Sequence, residues 1–172
     1  IEPESKNLKN LKMMKDRRLK YKVGSAIKIP YPDNSFDTVT SWEVIEHIPP
    51  QTEEKMFQEV YRVLKPKGVF YLSTPNAHLI SKVLDPAWWL IAHRHYYLAF
   101  FKKIAQETGF QIQRHVIKGK IWELLTVINL YISKWLLKSP LLFTDFFAQK
   151  RDKEYREKNG FALLFIKFRK EN

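Results

Sequence analysis

One stretch constrains this chain more than any other. Phe36-Asp37-Thr38-Val39-Thr40-Ser41 mixes aromatic and β-branched residues without a breaker, and Trp42-Glu43-Val44-Ile45-Glu46-His47 follows at once. Phe36 to Ser41 reads as a short buried strand. Polar and charged residues arrive where that strand ends. In open α/β sheets ligands bind in the crevice outside the carboxyl ends of the strands, so Glu43, Glu46 and His47 stand where chemistry is done. Downstream, Thr52 to Leu64 carries Met56, Phe57, Val60, Tyr61 and Leu64 at helical spacing, and Thr52, Glu53 and Glu54 suit the start of a helix. Lys65-Pro66-Lys67-Gly68 then turns the chain, and Val69 to Thr74 reads as a second buried strand. Strand, helix, strand is one right-handed crossover unit, and the fold class it predicts is α/β.

Those residues carry a resemblance. The order GSAIKIPYPDNSFDTVTSWEVIEHIP, then EVYRVLKPKGVFYLSTPN, is similar to the central part of the class I S-adenosylmethionine-dependent methyltransferases. The small-molecule group that includes the ubiquinone-pathway O-methyltransferases is nearest in pattern. The matching elements are Ile29-Pro30-Tyr31-Pro32, Asn34-Ser35-Phe36-Asp37, the pair Glu46-His47, and Arg62-Val63-Leu64-Lys65-Pro66. Several independent motifs in the right order are far more specific than a single glycine motif. The resemblance implies a Rossmann-like sheet with helices on both faces and an antiparallel last strand. It implies S-adenosylmethionine as cofactor.

It also implies site residues. Glu2 corresponds to the acidic residue that accepts hydrogen bonds from the cofactor ribose, although Glu2 and Glu4 equally suit a helix N-terminus. Leu19 to Gly24 is expected to be a strand leading to Ser25 and Ala26, which match the adenine-binding positions. Ser41 and Trp42 match the position beneath the cofactor. The chain has five glycines, and no two are close enough to form the family's glycine-rich loop. On the resemblance, residues 1–172 are an N-terminally truncated, partial methyltransferase domain lacking the first strand and most of the second. Weak or no cofactor binding, and low or no activity, are expected of such a domain.

Glu43, Glu46 and His47 form E-x-x-E-H. In a helix, spacings of three and four place all three side chains on one face, and two carboxylates with an imidazole suit a divalent metal. The resemblance to ubiquinone-pathway O-methyltransferases and small-RNA 2′-O-methyltransferases implies a downstream histidine to complete the set, here His93 or His95. The same Glu-His pair also stands in relatives without metal, where it caps the helix and lines the pocket. His93 or His95 is equally a candidate general base for a hydroxyl, since imidazole titrates near neutral pH. Ala99 to Thr108 reads as a helix stopped by Gly109, Phe110 to Ile117 as a strand, and Phe161 to Arg169 as the last, antiparallel strand.

Composition bounds the partners. The formal charge is +12 with no cysteine, which excludes disulfides and thiolate metal sites and is compatible with the cytoplasm. Such a charge suits nucleic acid or an anionic membrane surface, but Lys and Arg are scattered through every segment. Residues 121–159 read as a helical, apolar insertion. Its apolar core, about 16 residues, is too short for an ordinary membrane span; it suits a surface-lying segment, a cap over a lipid-like substrate, or a homodimer contact. The function expected is methyl transfer from S-adenosylmethionine to a small or lipid-like acceptor. RNA methylation, and a non-catalytic remnant of the fold, are the alternatives.

Overall fold

The computed structural model describes residue 18 and residues 20–171. After an irregular lead-in the elements are β1 (Phe36–Trp42), α1 (Glu53–Val63), β2 (Leu64–Pro75), α2 (Leu79–Leu84), α3 (Pro86–Ile91), α4 (Leu98–Thr108), β3 (Phe110–Lys118), α5 (Ile121–Tyr131), α6 (Thr144–Arg156) and β4 (Leu163–Lys170). Among the described residues the strands form one sheet in the order β1-β2-β4-β3. β1 and β2 are parallel, as their crossover through α1 requires, while β4 runs antiparallel to both β2 and β3.

An aromatic cluster closes one face of the sheet. The ring of Phe57, from α1, lies 5.2 Å from Phe168, 5.5 Å from Phe70, 5.9 Å from Phe110 and 6.1 Å from Phe101. Such a ring cannot be truncated cheaply, and Phe57→Ala would cost about 3–5 kcal/mol. Leu164, Ile166 and Phe168 of β4 are buried on this side. Phe165, of opposite parity, meets Tyr155 of α6 at 6.2 Å and Trp42 at 6.4 Å. Helices therefore cover both faces, as expected.

Polar fastenings set the edges. Arg62 donates to the carbonyls of Ile29 and Tyr31 and pairs with Glu59 and Asp33, tying the proline-rich lead-in to α1. Lys170 is buried at the end of α1, where its ammonium donates to the carbonyls of Tyr61 and Leu64. Gly109 ends α4 in the left-handed region, φ 80°, with the Tyr61 ring packed where a Cβ would lie.

Four sequence expectations change. β1 is not a buried strand: Asp37, Thr38, Thr40 and Trp42 are exposed and Ser41 alone is fully buried. The reason is its place at the edge of the sheet, where no described strand covers its outer side. Within 20–24 a single bridging residue, Val23, stands in place of the expected strand. The turn Lys65–Gly68 survives as a bulge inside β2, because Phe36 pairs with Leu64 and Thr38 already pairs with Val69. The apolar run from Ile121 is also interrupted. A π turn, Ile132–Leu136, ends α5, Lys138 turns left-handed at φ 49°, and Pro140 follows.

Candidate active site

The carboxyl ends of β1 and β2 lie side by side, and the site grows from them. Glu43 leaves β1 in the left-handed region at φ 52°, a strained conformation for a side chain of this size. Its N–H is directed at Ser73 of β2, and the Ser73 hydroxyl donates back to the Glu43 carboxylate. Beyond it the chain turns instead of forming a helix. Arg94 fastens this turn: its guanidinium takes the carbonyls of Ile45, Glu46 and Ile48 and pairs with Glu53 at 2.7 Å. With three carbonyls converging on one guanidinium the segment is a turn, so Glu43, Glu46 and His47 do not share one helical face.

Each of the three finds a different neighbour. Glu43 stays with Ser73. Glu46 is buried and accepts from the Thr74 hydroxyl at 3.1 Å, while its Oε1 has no hydrogen-bond partner among the described residues. Burial, with the nearby Glu43 charge, pushes the Glu46 carboxyl up to about 8. His47 Nε2 faces His93 Nε2 at 3.3 Å. Burial, then the neighbouring His93 and Arg94, lowers the His47 imidazole from its ordinary value.

The hub of the cluster is Asp85, which sequence reasoning missed. It sits at the N-terminus of α3, where one oxygen accepts from the Ala87 N–H. The other meets His93 Nδ1 at 3.0 Å and His95 Nε2 at 2.9 Å. Against the burial that would raise it, hydrogen bonds from His93 and His95 hold the Asp85 carboxyl far below the usual range. His95 is almost wholly enclosed, and its Nδ1 faces the Asn76 carbonyl at 3.2 Å. Both its ring nitrogens face acceptors, so His95 is occupied in holding Asp85. The available signal was a lone acid before Pro86 in the apolar run Leu79 to Ile91.

Two cavities flank this cluster. The larger, about 730 Å³, is lined by Gly24, Ser25, Ala26, Ser41 and Trp42 among others. The smaller, about 310 Å³, has Asp85, His93, His95 and Glu123 at its polar end and Leu124, Val127, Tyr131 and Leu163 as apolar wall. Glu43 and His47 line both. Two groups of side chains here have ligand atoms close enough for a metal, all within 4.8 Å: Glu46, His47 and His93, and Asp85, His93 and His95. Glu43 belongs to neither.

Comparison with known proteins agrees with this architecture. Residues 1–72 match the family model described as a methyltransferase domain. A phosphoethanolamine N-methyltransferase 2 of Caenorhabditis elegans is 38% identical over 106 residues, which are 60% of this chain and 24% of the relative. A ubiquinone/menaquinone biosynthesis C-methyltransferase of Rickettsia akari is 48% identical over 54 residues, 31% of this chain and 21% of that one. The solved Haemonchus contortus phosphoethanolamine N-methyltransferase 2, in complex with S-adenosyl-L-methionine, superposes with a TM-score of 0.60 at 22% identity, covering 96% of this chain and 40% of its own.

Residues 1–72 resemble a methyltransferase domain, and the chain shares the fold of solved methyltransferases.

The chain spans about a quarter of the length of the nematode relative it matches. The larger cavity fits the cofactor on its own chemistry. Among the described residues Ser41 Oγ is buried without a partner, a group that asks for a ligand atom. Trp42 offers a half-exposed ring, and Ser25 closes its own turn by accepting from the Ile27 N–H while keeping capacity for a further bond. Glu2 lies outside the described residues.

Proposed function

We propose that this protein passes a methyl group from S-adenosylmethionine in the larger cavity to a small or lipid-like acceptor in the smaller one. One observation carries the reading: Glu43 and His47 are common walls of the two cavities. The cofactor, when bound, supplies an activated methyl group, and its transfer is an in-line displacement. The protein's share is then proximity and orientation. Ser25 and Ala26 would hold the adenine end, Ser41 and Trp42 the underside, and Glu2 the ribose.

His93 is the general base of this scheme. Its Nδ1–H is committed to Asp85, which leaves Nε2 as a lone pair directed at His47. A proton leaving an acceptor hydroxyl or amine then has a path into the His47–His93 pair. His95 positions Asp85 and touches the acceptor only as part of the cavity wall. The apolar wall of Leu124, Val127, Tyr131 and Leu163 favours a lipid-like acceptor over RNA.

The test is transfer of labelled methyl from S-adenosylmethionine to lipid, amine and RNA acceptors. The reading expects label in the organic-soluble or small-amine fraction and a loss of about 10²–10⁴-fold in His93→Ala, the usual worth of a general base. Label confined to RNA, or full activity in His93→Ala, contradicts it.

A second reading rests on the orphan Glu46 Oε1. A divalent ion held by Glu46, His47 and His93 would complete that carboxylate, with Asp85 orienting His93 as second-layer partners orient metal-bound imidazoles. Oxygen and nitrogen donors of this kind suit Mg, Mn or Zn.

A further inference from the structure

Two stretches carry most of the large apolar side chains that face solvent. Along α2 and α3, Leu79 is 74% exposed and Trp89 68%; from the π turn onward, Trp135 is 64% exposed, Leu136 75% and Phe143 76%. Patches of this kind mark a partner or a membrane. The stretches meet beside the smaller cavity: α2 and α3 pack against α5, and Ile91 and Tyr131 both line the cavity. Tyr131 then lies 5.8 Å from the Trp135 ring, centre to centre.

Outside the buried histidine cluster the charges on these stretches have one sign. Residues 79–91 and 132–143 contain Lys82, Asp85, Lys134 and Lys138 as their charged residues, and Asp85 is buried in the histidine cluster. Lys134 and Lys138 are exposed among the apolar side chains. The Lys82 ammonium lies over the rings of Trp88, at 5.0 Å, and Tyr97, at 5.2 Å, the arrangement of a cation held at an apolar boundary.

We propose that this lysine-studded apolar face docks on an anionic lipid bilayer. A bilayer of that charge supplies both an apolar medium for Trp89, Trp135 and Leu136 and counter-charge for the lysines. A second copy of the same face would bring lysines against lysines with no exposed carboxylate from these stretches between them. Among the described residues no helix is long and apolar enough to cross a membrane, so the face lies on the surface. Docking stands apart from the methyl-transfer reading; the acceptor's route from the bilayer past Ile91 and Tyr131 rests on it.

The experiment is flotation of the whole chain, without cofactor, on phosphatidylcholine vesicles and on vesicles with about a third phosphatidylserine. The chain is expected to float with the anionic vesicles and to remain behind with the neutral ones. Lys134→Glu with Lys138→Glu should weaken partitioning by at least about 25-fold, from roughly fivefold per lysine. Trp135→Ala with Leu136→Ala should weaken it at low and high salt alike, with circular dichroism confirming that both variants fold. No flotation with anionic vesicles overturns the proposal, as does equal flotation of the lysine variant. A dimer that Trp135→Ala breaks, and that does not float, assigns the face to a second copy instead. Since cofactor is absent, failure here leaves the two-cavity reading standing, and failure of cofactor binding leaves docking standing.

Discussion

His47 Nε2 and His93 Nε2 lie 3.3 Å apart although forty-six residues separate them in sequence. Two ring nitrogens at that distance share one proton, and Asp85 decides which of them donates it. With His93 Nδ1–H engaged by Asp85 at 3.0 Å, His93 Nε2 accepts and His47 Nε2–H donates.

Asp85→Asn tests that assignment. An amide offers one acceptor oxygen where the carboxylate serves His93, His95 and the Ala87 N–H. Nitrogen spectra of the wild type are expected to show His93 as the Nδ1–H tautomer, and those of Asp85→Asn a mixture. The variant should lose about 1–3 kcal/mol of unfolding free energy, the usual cost of leaving buried polar groups unsatisfied. An unchanged tautomer in the variant would remove Asp85 from its role.

Stability should fall as pH rises from 7 to 8. The Glu46 carboxyl, raised from 4.5 to about 8 in the fold by burial and by Glu43, binds a proton that the unfolded chain has already released. Each pH unit in that window costs up to about 1.4 kcal/mol. His47, lowered by burial and its cationic neighbours, acts below its ordinary value and leaves this window clear. Denaturant midpoints are expected to decline from pH 7 to 8 in the wild type and to decline much less in Glu46→Gln. Equal slopes would show that Glu46 is ionised in the fold.

The two readings of the cluster separate in a thermal-shift assay with Zn²⁺ or Mn²⁺. A metal at Glu46, His47 and His93 raises Tm in the wild type and in Glu43→Gln but not in Glu46→Gln, since Glu43 is engaged by Ser73. A general-base cluster gives no Glu46-dependent rise, and chelator then leaves stability unchanged.

Lys67 stands in the bulge of β2 at φ 64°, a region that disfavours any residue with a Cβ. Lys67→Gly should therefore stabilise the protein by about 1 kcal/mol, read as a higher denaturant midpoint with an unchanged slope. A lower midpoint would mean that the backbone there relaxes at no cost.

Much of this fold was legible because local and global signals agree. The apolar spacing of Met56, Phe57 and Val60, the stop at Gly109, and the apolar alternation ending at Phe168 each mark an element that the sheet then uses. Ser25, Ala26, Ser41 and Trp42 lie along one cavity. The E-x-x-E-H spacing misled, because the segment is a turn whose carbonyls converge on Arg94 from a distant loop. Asp85 escaped for a related reason: an acid before proline reads as a helix cap, which it also is, and its histidines come from a later loop. The exposure of β1 depends on its position at the sheet edge, which no feature of Phe36 to Ser41 reports.

The central claim is that the cofactor lies along the end of β1, against the wall that Glu43 and His47 share with the acceptor cavity. Titration of the isotope-labelled chain with S-adenosylhomocysteine, followed by amide and indole resonances, tests it most directly and detects weak binding as readily as tight. Saturable shifts are expected at Ser25, Ala26, Ser41, Glu43 and the Trp42 indole N–H, with Ser41→Ala weakening them by about tenfold, the worth of one well-placed hydrogen bond. Shifts confined to other surfaces, or none at millimolar ligand, would contradict the account.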